Sequence, residues 1–506
     1  MKKLIFLFFV LLQVAVLAQS GKINLQELDL YAQKVMKDFD VPGMTIGIVR
    51  NDSIIFVKAY GTKEINKNLP VNTNTTFGIG SISKSFTALT LGILVAQGKI
   101  NWDDKVRKYL PYFELYDPYV SENFTIRDLL THRSGLKQVS GGMLWYHSDL
   151  SRTEVIKGMK YLKPISGFRD KPAYQNLMYL VASEIVKEVS GMPCDEFLKK
   201  NVFDKIKMAN STSVSVEREA NSNRALPHVS NNKGELQVVE QEKGDNVAPA
   251  GFVFSSVNDM ANYIRMLLND GKFEGNEIVV KSSLDEIFKP QIHFPLFSEP
   301  MHNDFSSYGF GWWLTPKNGH KIIEHSGGID GMTANLVLVK DLNIGIFAVV
   351  NTDNAAPFLV TSKFLEEVVN DKSYDIYDKA IQRKKNKMIK QKEYWMQKEK
   401  TRAKNTKPSL DLKSYTGTYH DNLCGDIFVK LNNGNLEIIF PQNKILHGKL
   451  SHWQYDTYLV DWNDIRVPNG FLTFNFNTNQ EITGISMDEQ NLLDVDFTEL
   501  EIKKIK

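Results

Sequence analysis

At 506 residues the chain is too long for one ordinary hydrophobic core, and two domains is the natural division. Its 61 Lys and Arg against 59 Asp and Glu leave a formal charge of +2, which gives no support for nucleic-acid binding by the molecule as a whole. Cys194 and Cys424 are the only cysteines, so neither a disulfide framework nor a cysteine zinc site organises the fold, and both read as single thiols without a catalytic role.

Lys2 and Lys3 precede the apolar run Leu4 to Leu12, and Val16-Leu17-Ala18 is the kind of sequence a signal peptidase reads. Residues 1–18 are therefore expected to be a signal peptide, with export to the periplasm or out of the cell. No later stretch is long and apolar enough to span a bilayer, so no stable membrane insertion is expected.

Residues Leu25 to Asp38 carry Leu28, Ala32, Val35 and Met36 at helical spacing, and the strand-like runs Met44–Val49 and Ile54–Tyr60 follow, joined at Asn51-Asp52. A polar segment then delivers the chain to Phe77–Gly98, FGIGSISKSFTALTLGILVAQG, where Ser81 and Lys84 open a long apolar run. Three residues apart on a helix, the two side chains point the same way. The N–H groups of the first turn lack intrahelical partners and are available to an oxyanion, and a lysine among Ile82, Phe86 and Leu89 is desolvated enough to act as a base. Ser134–Lys137 and Ser230–Lys233 match the same S-x-x-K spacing but lie in loops, so context separates the first occurrence from the other two.

Thr125 caps a short helix that runs into Thr131-His132-Arg133-Ser134-Gly135, where His132 reads as a hydrogen-bonding loop residue. Tyr174-Gln175-Asn176, the only Y-x-N, precedes a helix over Leu177–Val189. Residues 201–248 carry no assignable pattern. A helix over Asn258–Leu268 follows, then strands over Tyr308–Leu314, Lys321–His325, Ala334–Val339 and Ile344–Asn351 and a helix over Pro357–Val369. Strands at both ends with helices between predict one sheet carrying a helical lobe. Lys379–Lys404 is strongly basic and reads as a solvated linker helix, and the β-pattern returns beyond Pro408 as a small antiparallel barrel or sandwich.

Ser81-Ile82-Ser83-Lys84, Tyr174-Gln175-Asn176 and His325-Ser326-Gly327 thus stand in chain order at a helix, a loop and a strand end. With them the chain resembles the serine hydrolases related to class C β-lactamases and penicillin-binding proteins, over roughly Leu25 to Asn370. FGIGSISKSFTA, TIRDLLTHRSGL, YQNLMYLVASEIVKEVSG, PAGFVFSSVNDMANYI and YGFGWW with HSGGIDG carry the likeness. The tail from Pro408 resembles the lipocalin-like domain found after such hydrolases, through Ser414–Tyr419 and Ser451–Thr457.

The resemblance implies an α/β (α+β) fold with an antiparallel sheet flanked by helices, an α lobe and a C-terminal barrel. The expected layout is residues 23–373 for the hydrolase, 374–407 for the linker and 408–506 for the barrel. It implies that Ser81 is acylated, that Lys84 assists, and that Tyr174 shuttles the proton as a phenol of lowered pKa, with the choice of base between Lys84 and Tyr174 left open. Asn176, His325 and Gly327 would bind substrate, and the N–H groups of Ser81 and Gly328 would form the oxyanion hole. No metal or cofactor is implied. His325 stands where β-lactamases carry a lysine, which makes it a weaker, pH-dependent anchor for a carboxylate. The expected substrates are peptides, amides or esters, D-configured ones among them, rather than β-lactams. The alternative is a catalytically silent ligand or cell-wall binding protein. Homo-oligomerisation through the barrel is open, as are subsite roles for Trp145, Tyr146, Phe294 and Phe297.

Overall fold

The computed structural model describes residues 23–231, 234–295, 305–488, 492 and 494–505, so the expected signal peptide and Phe297 lie outside the described residues. The expected helix over Leu25–Asp38 forms with those bounds, capped by the Asn24 side chain on the Glu27 N–H. Asn51 and Asp52 both take positive φ, 48° and 60°, at the hairpin that joins Gly43–Arg50 to Ser53–Gly61.

An eight-stranded sheet, antiparallel at every pairing, runs in the order Ser53–Gly61, Gly43–Arg50, Ile344–Val350, Met332–Val339, His320–Ile329, Trp313–Lys317, Ser307–Tyr308, Ile292–His293. Ends of the domain therefore share one sheet, as the sequence predicts. The helices Leu25–Asp38 and Ala356–Val368 pack together against one face. The helical lobe, built around Ser83–Ala96 and Leu177–Ser190, belongs to the larger core on the other side.

The run expected as one strand over Tyr308–Leu314 is broken. A turn at Gly309–Trp312 separates Ser307–Tyr308 from Trp313–Lys317, with Gly311 at φ +77° and a Cβ there set to lie 2.9 Å from the Lys84 carbonyl oxygen. The break brings backbone against the Ser81 helix where a continuous strand would not reach. Unassigned residues 201–248 hold a helix at Ser215–Ala220 and a small hairpin, His228–Ser230 with Leu236–Val238.

The basic segment is one helix, Tyr377–Thr401, in which Ala380 is the buried residue. Lys384 pairs with Asp40 of the sheet domain and Lys398 with Asp488 of the barrel, both at 2.6 Å, so the helix is tethered at each end. Eight strands from Gly417–Asp421 to Ile502–Lys504 then close an antiparallel barrel. Cys194 and Cys424 are free and buried, one in each domain. No helix among the described residues is long and apolar enough to cross a membrane.

Candidate active site

Ser81 sits in a single 3-10 turn, Gly80–Ile82, that leads directly into the helix Ser83–Ala96. Lys84 follows one turn on and its Nζ donates to Ser81 Oγ at 3.1 Å, to Asn176 Oδ1 at 2.7 Å and to the Ala250 carbonyl at 2.8 Å. The ammonium position is thus fixed by three acceptors, and burial pushes the Lys84 pKa down to about 7 while Asp494 pulls it up. Segment 248–253 is held for this purpose: Thr87 Oγ1 donates to the Pro249 carbonyl at 2.7 Å and Ser83 Oγ accepts from the Val253 N–H at 3.0 Å.

Gly80, at φ +55°, lets the Ser81 turn touch the strand His320–Ile329 backbone to backbone. A Cβ on Gly80 would lie 2.3 Å from the Gly328 nitrogen, and one on Gly327 would lie 1.8 Å from the Ile79 oxygen. Side chains at either position would drive the two apart. Ser81 and Gly328 consequently line the same cavity, which is the arrangement two oxyanion donors need.

The Tyr174-Gln175-Asn176 loop is set by His132, which takes φ +57° in the turn after the helix Ile126–Leu130. His132 Nδ1 accepts the Gln175 N–H at 3.0 Å, its carbonyl accepts the Ala173 N–H at 2.7 Å, and its ring lies 4.3 Å from that of Tyr174. Asp128 anchors that turn from a fully buried position, closing a capping box with Thr125 and pairing with Arg133 and Arg169 at 2.6 Å. His132 is the hydrogen-bonding loop histidine the sequence suggests, and it also sets Tyr174.

Two expectations need correction. Burial pushes the Tyr174 phenol well above its ordinary pKa, with the Ser81 hydroxyl beside it pulling the other way, so Tyr174 is a neutral phenol and not one of lowered pKa. His325 is 1% exposed, donates from Nδ1 to the Ser326 carbonyl at 2.6 Å and accepts at Nε2 from the Tyr308 hydroxyl at 2.9 Å. Burial, with the Lys84 charge second, lowers its pKa to about 3. A neutral imidazole with both nitrogens occupied offers no charge to a substrate carboxylate; its effect is to hold Tyr308, which packs against His132 at 4.6 Å.

The cavity at Ser81 has a volume of about 20 Å³. Besides Ser81, Asn176, Ala250 and Gly328 it is lined by Trp145, Tyr146, Glu242, Asp330 and Asp494. The two aromatic residues therefore do reach the site, whereas Phe294 packs on Trp313 at 4.7 Å and does not line it. Asp494 comes from the barrel, and its carboxyl is a hydrogen-bond partner of Asn176. Asp330 belongs to the HSGGIDG segment, whereas Glu242 and Asp494 lie in no recognisable motif.

A family model described as beta-lactamase matches residues 28–369. The chain belongs to that family. This beta-lactamase-family domain is followed, at residues 401–504, by a match to a domain of unknown function, DUF3471, which is the closed barrel. Penicillin-binding protein 4* of Bacillus subtilis (strain 168) is 26% identical over 360 residues, covering 67% of this chain and 75% of that protein. Unguisins hydrolase ungD of Aspergillus violaceofuscus is 24% identical over 369 residues, covering 68% of this chain and 65% of that protein, so the chain spans about two thirds of that relative's length. Among solved structures, the octameric penicillin-binding protein homologue of Pyrococcus abyssi aligns with a TM-score of 0.62 and 21% identity over 93% of this chain and 99% of its own. A D-stereospecific amidohydrolase from Streptomyces aligns at 0.54 and 18%, covering 67% of this chain and 98% of its own. At these identities the structural likeness is one of fold.

Proposed function

We propose that this protein is an exported serine hydrolase that forms an acyl-enzyme at Ser81 from peptides or from aminoacyl amides and esters, with D-configured substrates within its range. The observation that carries the reading is the position of Lys84, fully buried and 3.1 Å from Ser81 Oγ. A lysine depressed to about 7 is a neutral amine over much of the working range and is able to take the serine proton.

In this reading Ser81 Oγ attacks the carbonyl carbon as its proton passes to Lys84. The resulting oxyanion lies against the N–H groups of Ser81 and Gly328. Tyr174, held protonated by burial, gives its proton to the departing amine or alcohol as the C–N or C–O bond breaks, and the Lys84 ammonium restores it. Water then attacks the ester by the reverse sequence, freeing Ser81 and the acid. Asn176, bound to Lys84 through Oδ1, fixes the amine and positions substrate. His325 acts through Tyr308 as a positioning residue, and Gly327 acts by permitting close approach.

Absence of a cation at His325 argues against substrates that depend on a carboxylate anchor, β-lactams among them. Intact Ser81, Lys84 and Tyr174 in mutual reach argue against a silent binding protein. The test is a panel of D- and L-aminoacyl p-nitroanilides and esters with the full chain and with Ser81→Ala. The expected result is product release by the former only; a folded wild-type chain inert on the whole panel would remove the proposal.

A further inference from the structure

Beside the cavity at Ser81, three side chains from three separate segments converge. His147 follows Trp145 and Tyr146 in their loop, Glu242 stands in the irregular stretch before Ala248, and Asp330 in the turn after His320–Ile329. One imidazole nitrogen and one oxygen from each carboxyl lie within 4.8 Å of one another. His147 Nε2 is 3.0 Å from Asp330 Oδ2 and 3.8 Å from Glu242 Oε2. Neighbouring ligands around a four-coordinate zinc with bonds of about 2.0 Å stand about 3.3 Å apart, so little movement closes the set.

Hydrogen bonds fix the three positions. The His147 N–H donates to Glu242 Oε1 at 2.6 Å, and buried Arg218 donates to the carbonyls of Glu242 and Lys243 at 3.0 and 3.1 Å. The Tyr146 hydroxyl lies 2.9 and 3.0 Å from the two oxygens of Asp330. Support of this kind around the ligands is what orients a metal site.

An independent sign is the oxygen left over. Glu242 is 6% exposed, and its Oε2 accepts no hydrogen bond among the described residues, the nearest cationic group being the His147 ring. A buried carboxyl oxygen without a donor is costly unless a cation meets it. The protein's own cations are engaged elsewhere. Lys84 is committed to Ser81, Asn176 and Ala250. Arg466 grips Asp464 through Nε at 2.8 Å and Nη2 at 2.6 Å, gives Nη1 to the Glu240 carbonyl at 2.9 Å and approaches Asp330 only at 3.4 Å. These two cations face four acids, Glu242, Asp330, Asp464 and Asp494, an excess of two negative charges.

We infer that His147, Glu242 and Asp330 form a zinc site, which fastens the loop at residues 138–149, the segment before Ala248 and the turn at Asp330 into one wall of the Ser81 cavity. An imidazole in the set selects a transition ion over calcium or magnesium, which take oxygen ligands. Glu242 and Asp330 line the cavity, whose volume of about 20 Å³ admits one water as the fourth ligand. Arg466 stays outside the coordination sphere, its charge met by Asp464, and so does not exclude the ion. No step of acyl transfer passes through the zinc. Its work is to hold the loop that presents Trp145 and Tyr146.

The experiment titrates the chelator-treated full chain with zinc chloride and with calcium chloride, for wild type, His147→Ala, Glu242→Gln and His320→Ala. Bound metal, Tm and hydrogen exchange are the readouts. Wild type is expected to take up one zinc ion per chain at micromolar concentration and no calcium, with a rise in Tm and slower exchange over residues 138–149. His147→Ala and Glu242→Gln should each weaken zinc binding at least about 100-fold and lose that protection. His320→Ala, which removes a histidine paired with Asp341 elsewhere on the molecule, should bind as wild type does. Glu242→Gln conserves shape and can still accept the His147 N–H, so the test stays readable if His147→Ala does not fold. A wild-type chain that binds no zinc, zinc held equally by wild type and both site variants, or zinc that binds without slowing exchange over 138–149 overturns the inference. None of these readouts requires turnover, so fluorophosphonate labelling of the same samples decides the acyl-enzyme reading separately.

Discussion

The wall that carries Ser81 and the wall that carries Asp494 face one cavity but are built by different means. On the first, backbone meets backbone. Gly80 and Gly327 remove the side chains that would separate the nucleophile turn from the strand, and Lys84 is locked by three acceptors of the same domain. On the second, the loop at residues 138–149 is pinned across the domain boundary. Asn443 of the barrel donates to the carbonyls of Met143 at 3.0 Å and Tyr146 at 2.8 Å, and Lys444 N–H donates to the His147 carbonyl at 3.1 Å. The Asp494 segment is fastened in return by Lys137 on Asp496 and by Ser140 and the Gly141 N–H on Glu499. The first wall is a rigid device for chemistry. The second is an assembled surface whose shape depends on two domains staying docked, which suits it to selecting what is acylated rather than to acylating.

Removing the base should break the first wall and leave the second. Lys84→Met is expected to lower kcat about a thousand-fold, the scale of a positioned proton acceptor, without abolishing the fold. The methionine fills the buried stem without a charge to desolvate, although the Asn176 and Ala250 oxygens lose a donor. Steady-state kinetics with a thermal melt checks this, and a rate within tenfold of wild type would show that Lys84 is not the base.

Asn443→Ala should do the converse, with a smaller effect. Asn443 is fully buried, and its loss leaves the Tyr146 carbonyl unpaired and the Met143 carbonyl with Gln442 alone, at a cost of about 1–3 kcal/mol. The loop that presents Trp145 and Tyr146 then loosens. KM is expected to rise several-fold with kcat near wild type, read from the same kinetics. A fall in kcat equal to that of Lys84→Met would mean the walls are not separable.

The two walls also differ in how far sequence exposes them. Ser81 and Lys84 are legible because a 3-10 turn running straight into a helix carries them three residues apart, so local spacing sets their geometry. Tyr174 and Asn176 are legible because the loop before Leu177–Ser190 is a recognisable segment. The supporting fold is legible for the same reason: the periodic runs at Leu25–Asp38, Met332–Val339 and Ile344–Val350 are local signals. Asp494 sits in Leu492–Phe497 with no periodicity to mark it, and Glu242 lies in the stretch that carried no pattern; long-range docking alone brings them to Ser81. The lowered phenol of Tyr174 and the titrating His325 were expected from residue type. Burial decides otherwise in both cases, and it is not written in the local sequence.

The measurement that tests the central claim most directly is intact mass after exposure to a fluorophosphonate, with the adduct mapped and its rate followed against pH. One adduct per chain is expected, on Ser81 and absent from Ser81→Ala. The rate should climb as pH rises through about 7 and then level, because a depressed Lys84 is protonated and inactive below that pH and a free amine above it. A well-folded wild-type chain that gains no adduct, or an adduct that persists in Ser81→Ala, would contradict the account.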